Sequence, residues 1–365
     1  MQSLFAFRQC QEANYQLCHD RIADAFAPDL NSMEVQDKAT LELQKAAARN
    51  MFDARFAGET QASEDARVEK AVEEALGFYR AQDDRDYQFF SRNLVSEAER
   101  IFDHYLSVLT LFDYLAHAGS GDKKEDHRHL IANPWITSLR SHARLKQEVT
   151  RRNLGWEPKA ELARGWFKDL LKPDPDYQTY LHLDAPTEEE HRKVLLTLAR
   201  KWLIHPGPVF DYFESVDIRW AEDAEVVKSL VEKTFKSKTG TEDDIQLQPL
   251  SLNWEEDREF LQKIFETSAR LPKEYDELIA QNTRNWELER LPLTDRVILE
   301  MAIAEWLHFA NIPVKVTINE YIELAKEYST PKSRQFINGI LDALARELNT
   351  RGEIKKSGRG LLDNK

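Results

Sequence analysis

The sequence predicts an all-α protein, and three observations carry that prediction. Apolar residues recur at three- and four-residue spacing along nearly the whole chain, while the alternation of a half-buried strand is missing. Turn formers are sparse: 12 Gly and 13 Pro in 365 residues are too few for a turn-rich all-β fold. Helix starts are written out as capping pairs, such as Thr187 with Glu190, in which each residue satisfies an orphan backbone donor of the other.

The elements follow in order. Met1, Leu4, Phe5, Tyr15 and Cys18 form a helical stripe that begins at Met1 with no capping side chain. Helix starts favour Ser, Thr, Asp or Asn, so this pattern reads as cut rather than begun, as a start codon placed too late would leave it. Residues 33–57 and 64–82 read as two amphipathic helices, and 87–118 as a longer helical pair. Gly119, Ser120 and Gly121 open a charged loop over 122–129; Pro134 and Trp135 start the next segment; Pro173 to Pro175 mark a turn; a weaker break spans 237–249. Thr294 and Asp295 open a strongly apolar helix through Trp306. After a loop at Asn311-Ile312-Pro313, Thr317 and Glu320 read as a capping box opening Tyr321–Glu327. Ser329-Thr330-Pro331 breaks the chain before a last helix from Ser333 to Leu348. Gly339 inside that helix costs about 1 kcal/mol, so it is expected to permit a close helix–helix approach.

Residues 187–235 read as a degenerate repeat of 253–301. A constant offset pairs Thr187 with Asn253, Glu190 with Glu256, Leu198 with Ile264, Pro206 with Pro272, Phe213 with Ile279 and Trp220 with Trp286. Each copy reads as a capped helix, a proline-started second helix, then a Trp. Two copies are too few for a solenoid.

The length fits about two domains. Fifty cations against 64 anions give a formal net charge of −14, which disfavours nucleic acid unless the cations are concentrated locally. Two cysteines, Cys10 and Cys18, are too few for a disulfide framework or a four-Cys zinc site; they read as small core residues of a reducing, cytoplasmic compartment. No signal peptide is evident, and the most apolar window, Leu106 to Leu115, is interrupted by Asp113 and far too short to span a membrane. His127 and His129 sit in a charged loop without further ligands at metal spacing, so they read as solvated surface rather than a metal site. Phosphate-cradling glycine loops, a nucleophile elbow and an isolated acid/base pair are all missing, so no enzyme and no cofactor is expected.

One segment is more specific. Asp295-Arg296 with Glu305, the run Ile312-Pro313-Val314-Lys315-Val316-Thr317-Ile318-Asn319-Glu320-Tyr321, and Phe336-Ile337-Asn338-Gly339-Ile340-Leu341-Asp342 closely resemble the bacterial NusB transcription antitermination family. Met1-Gln2-Ser3-Leu4-Phe5 resembles the end of that family's first-helix signature. The resemblance implies an all-α, NusB-like helical bundle with a long helical insertion between the first helix and the C-terminal half. It divides the chain into a first helix (1–20), an insert (21–250), a NusB-like core (251–350) and a basic, flexible tail (351–365).

The resemblance also implies function. Family members are not catalytic; they bind boxA-type RNA of ribosomal RNA operons together with NusE, a small-subunit ribosomal protein, and help the RNA polymerase complex read through terminators. Carried over by position, the RNA contacts fall on Phe5, as a stacking platform, with Arg8 on the same helix, and on Lys332, Ser333, Arg334 and Phe336 at the start of the last helix, where exposed backbone N–H groups would add donors. Asp295 corresponds to the partner-facing acidic position; as a residue it reads equally as a helix-start charge. The family's basic N-terminal arm has no counterpart here, and Lys332 stands where members can carry an acid. The alternative is a helical protein-binding scaffold that has lost RNA binding. A fused methyltransferase is disfavoured because no strand-rich, glycine-loop segment follows the NusB-like part. Residues 1–253 carry 33 cations and 44 anions and residues 254–350 carry 12 and 18, so RNA binding would have to rest on a small patch rather than bulk charge.

Overall fold

The computed structural model describes residues 1–29, 37–237, 245–283 and 291–364. Sixteen α-helices and no strand occur among these residues, in line with the all-α expectation. They are α1 (Gln2–Ala25), α2 (Lys38–Ala57), α3 (Ala66–Ser120), α4 (Arg128–Ile131), α5 (Pro134–Ser141), α6 (Ala143–Arg152), α7 (Ala160–Trp166) and α8 (Pro175–Leu181). There follow α9 (Glu188–Ile204), α10 (Pro208–Val216), α11 (Trp220–Ser237), α12 (Trp254–Ala269), α13 (Lys273–Asn282), α14 (Leu293–His308), α15 (Val314–Tyr328) and α16 (Pro331–Thr350).

The chain forms two compact units: residues 1–94 with 258–365, and residues 95–257. In the first, α14 is the central element. All its residues from Val297 to Trp306 are buried, which is what a helix apolar on every side requires. It packs against α1, α13, α15 and α16, closing a core of Leu4, Phe7, Ile298, Trp306, Ile337 and Leu341. A separate cluster joins the C-terminal half of α1 to α2 and the start of α3 through Cys18, Ile22, Met51, Phe52 and Val72. Cys18 is fully buried, with its thiol 3.3 Å from the Ala75 carbonyl, whereas Cys10 is half-buried; neither forms a disulfide.

The second unit is built on α9 and α11, with α5, α8 and α10 packed on α9. Its core is rich in large aromatics, including Tyr105, Trp135, Trp156, Trp220 and Phe235. Asn133, Asp174 and Thr187 cap α5, α8 and α9 with side-chain oxygens, and the Thr187–Glu190 capping box forms in both directions. Asn253 and Glu256 bond reciprocally at the start of α12. In both helix pairs the matched positions Leu198 and Ile264, and Phe213 and Ile279, are buried. Pro208 rather than Pro206 starts α10, and Trp286 lies outside the described residues, as does the beginning of the helix expected over 33–57.

Several local expectations are corrected. The helices expected over 64–82 and 87–118 are one 55-residue helix, α3, which starts at Ala66; the polar stretch over 83–86 contains no helix breaker. Thr317 does not cap: Pro313 starts α15 one turn earlier, and the fully buried Thr317 hydroxyl points back to the Pro313 carbonyl at 3.4 Å. Gly339 is exposed, and a Cβ there would meet nothing within 4 Å, so it serves no helix–helix approach within the described residues. His127 is not solvated surface. It is buried, with Nδ1 2.7 Å from the Tyr177 hydroxyl and Nε2 3.2 Å from Asp122, which Lys172 also contacts. Lys172 and His127 hold the Asp122 carboxyl well below the usual carboxylate range.

The segment after α16, expected to be flexible, is tied down. Ser357 N donates to the Ala310 carbonyl at 2.9 Å, Lys356 Nζ to the Phe309 carbonyl at 2.9 Å, and Tyr275 OH to Glu353 at 2.7 Å. Gly360 approaches Ala310 so closely that a Cβ would lie 2.1 Å from its carbonyl oxygen, so glycine is required there.

Candidate nucleic-acid interface

The residues expected to touch RNA come from two chain segments that tertiary structure joins. Leu4 and Phe7 turn into the core, and Phe7 meets Tyr87, Phe90 and Phe265 edge-on at 6.1–6.2 Å between centroids. That anchoring fixes the rotation of α1 and leaves Phe5 half-buried against the same core. At the other segment, Pro331 occupies the first turn of α16, and Thr330 caps it by accepting from Ser333 N at 3.2 Å. Gln2 Nε2 lies 3.5 Å from Tyr328 OH, so the first turn of α1 borders the turn between α15 and α16. Phe336, like Phe5, is half-buried against the shared core, with Ile337 fully buried beside it. The structure thus sets the first turn of α1, which carries Phe5, beside the end of α15, from which the chain turns into the start of α16 with Ser333, Arg334 and Phe336.

The start of α16 is less open to a phosphate than expected. Pro331 has no N–H, the Ser333 N–H is taken by Thr330 Oγ1, and the Arg334 N–H bonds the Thr330 carbonyl at 3.2 Å. Ser333 Oγ pairs with Thr330 Oγ1 at 2.9 Å. Arg334 is half-buried, and its Nε is enclosed with no partner among the described residues. An enclosed donor of this kind carries a desolvation cost that an incoming acceptor could relieve. Lys332 sits in the first turn of α16; its side chain lies outside the described residues.

Two residues expected to make contacts are engaged within the unit. Arg8 is only 15 % exposed in its side chain. Its guanidinium donates to Glu300 at 3.0 Å, to Gln11 at 2.8 Å and to the Ser268 carbonyl at 3.0 Å, and a further contact reaches the Ala269 carbonyl at 3.4 Å. It thereby satisfies carbonyls at the C-terminal end of α12 and neutralises a Glu300 side chain that is 1 % exposed. Glu300 also accepts from Arg296 Nε at 2.8 Å, and Arg296 reaches Asp276 at 3.0 Å. Burial disfavours the Arg296 charge, but Glu300 and Asp276 outweigh it and hold the guanidinium more firmly protonated than usual.

Asp295, expected to face a partner, is also 1 % exposed. One of its oxygens accepts from Ser329 Oγ at 2.5 Å, and the other has no partner among the described residues. Asp295 therefore fastens the turn before α16 onto the first turn of α14, where its charge also complements the helix dipole. Sequence reasoning missed this role because Ser329 is remote in the chain. It also missed Glu305, buried under α15, whose carboxyl accepts from Tyr321 OH at 3.1 Å. Burial raises the Glu305 carboxyl above its ordinary range despite the hydrogen bond from Tyr321 and the nearby Thr317 hydroxyl.

Residues 214–346 match the NusB family model. The transcription antitermination protein NusB of Salinibacter ruber is 42 % identical over 105 residues, covering 29 % of this chain and 66 % of that protein. The NusB of Chloroherpeton thalassium is 45 % identical over 106 residues, 29 % of this chain and 50 % of the relative. That of Koribacter versatilis is 42 % identical over 101 residues, 28 % of this chain and 69 % of the relative. The aligned stretch thus spans from half to about two thirds of these relatives' lengths. No solved structure matches.

Proposed function

This chain belongs to the NusB family, and from that premise we propose that it is a non-enzymatic transcription antitermination factor. In this reading it binds boxA-type RNA of ribosomal RNA operons together with NusE and acts within the RNA polymerase antitermination complex. The observation that carries the reading is the contact of the first turn of α1 with the last residue of α15, Gln2 to Tyr328, three residues before α16 begins. It supports a single surface on which Phe5 and Phe336 stack unpaired bases while Lys332 and Arg334 neutralise phosphates. Arg8 and Asp295 act from below that surface: Arg8 holds α1 against α12 and α14, and Asp295 holds the α15–α16 turn. NusE is then met by neighbouring exposed residues rather than by the Asp295 carboxylate.

The test is the pair Lys332→Glu with Arg334→Glu. Reversing two phosphate-facing charges should weaken boxA RNA by roughly tenfold or more and reduce the salt dependence of binding, with NusE affinity little changed. Unchanged RNA affinity would refute the placement. A second reading, a protein-binding scaffold without RNA contact, is favoured by the internal engagement of Arg8, which removes one expected cation from the surface. The same titration separates the two.

No helix among the described residues is long and apolar enough to cross a membrane. We place the protein in the cytoplasm, where its proposed RNA and ribosomal-protein partners are made.

A further inference from the structure

The C-terminal segment does more than cover the core. Pinned by Ser357 and Lys356 to the turn after α14, it runs beside α15 and α16 and walls off a cleft of about 820 Å3. The cleft has an unusual charge for this chain. Lys315, Arg346, Lys355 and Lys356 line it against one carboxylate, Asp342, although the protein as a whole carries −14. Apart from Asn349, its remaining lining is apolar, including Ile318, Ile354 and Leu361, and Leu361 is 52 % exposed. Among the described residues no aromatic side chain lines it, so they offer no platform on which a nucleic-acid base could stack.

We propose that this cleft binds an acidic, aliphatic peptide segment of a partner protein. Aliphatic side chains of the segment would cover Leu361 and Ile318, and its carboxylates would pair with Arg346 and Lys355. Those two cations are suited to the task. Arg346 uses only Nε internally, 3.1 Å from the Asp342 carbonyl, which leaves the forked end to take a carboxylate in bidentate fashion. Lys355 is exposed and makes no bond among the described residues. Lys356 has the different task of holding the wall in place through the Phe309 carbonyl. A cavity of this size lies within the range of ordinary ligand pockets, roughly 300–1,000 Å3.

The experiment uses the full chain and fluorescence anisotropy with a labelled peptide of about a dozen residues, mixing Glu and Asp with Leu and Ile. Arg346→Glu with Lys355→Glu should lower its affinity roughly tenfold or more, since like charges would then face each other. Leu361→Ser should lower it several-fold, and polyglutamate of equal length should bind more weakly than the mixed peptide. Oligouridine binding should be unaffected by the charge-reversed pair. Because Arg346, Lys355 and Leu361 are exposed, an unchanged helical circular-dichroism spectrum and thermal transition show that each variant is folded. No peptide binding, equal binding by wild type and the charge-reversed pair, equal binding of polyglutamate, or loss of oligouridine binding in the pair would each overturn the proposal.

Discussion

Replacing Arg8 by alanine separates an internal brace from a phosphate contact. In the structure the change removes the 3.0 Å ion pair to Glu300, the 3.0 Å bond to the Ser268 carbonyl and the 2.8 Å bond to Gln11. Stripping one partner from a buried ion pair costs about 3–5 kcal/mol when the remaining charge is left alone. Here Glu300 keeps Arg296, so the electrostatic part falls below that range, while the freed carbonyls at the end of α12 add about 1 kcal/mol. The expected loss is therefore about 2–4 kcal/mol, confined to the unit that contains α14. Native-state hydrogen exchange reads this locally: protected α14 amides should exchange roughly 30- to 700-fold faster, at a factor of ten per 1.4 kcal/mol. Arg8→Lys should fall between, because an ammonium keeps the charge but, as a single point, lacks the planar fork that reaches Glu300, Gln11 and the α12 carbonyls from separate nitrogens. A double-mutant cycle with Glu300→Gln should return a coupling energy of about 1 kcal/mol or more. Exchange in α14 unchanged to within about 0.5 kcal/mol, combined with a clear loss of RNA affinity, would refute the brace and return Arg8 to the RNA surface.

Other outcomes follow from single sites. Gly339→Ala should stabilise the protein by about 1 kcal/mol in urea denaturation, because the site is helical, exposed and open; a destabilised variant would mean an unseen approach to that face. His127→Ala should destabilise the 95–257 unit by about 2–3 kcal/mol, measured by exchange in α8, since it strands the buried Tyr177 hydroxyl. Asp223 gives a pH signature: burial and the nearby Asp217 charge push its carboxyl up to about 6. Its folded value thus exceeds the unfolded one of about 4, so the folded form binds the extra proton and stability falls as pH rises from about 4 to 6. Asp223→Asn should leave stability at pH 4 unchanged and raise it by about 1–2 kcal/mol at pH 7; an equal gain at both pH values would contradict this.

The amphipathic stripes and capping chemistry were legible because they are local. Thr187 and Glu190 stand three residues apart and meet as their spacing requires. Where the reading failed, a competing local rule or a remote partner won. Pro313 pre-sets the backbone one turn before Thr317 and starts α15 there. The stretches 64–82 and 87–118 read as separate helices in the sequence, but residues 83–86 between them include neither Pro nor Gly and α3 runs straight through. The failures at the site have a common origin. Arg8 and Glu300 are separated by most of the chain, as are Gln2 and Tyr328, and Asp295 meets Ser329 only across the α14–α15 hairpin. A surface cation and an interior brace have the same sequence signature, and only the three-dimensional partner distinguishes them. The long stretch between the first helix and the matched C-terminal part adds a second reason, because it hides which residues of α1 face the core.

The central claim is the proposal that this NusB-family chain binds boxA-type RNA through a small surface formed by the first turn of α1 and the start of α16. The most direct measurement is a titration of the full chain with boxA RNA and a scrambled control, with and without NusE, at several salt concentrations. The account predicts selective binding that NusE strengthens and that weakens with salt with a shallow slope, as a few phosphate contacts require. Equal affinity for the scrambled RNA, or no binding in the presence of NusE at low salt, would contradict it.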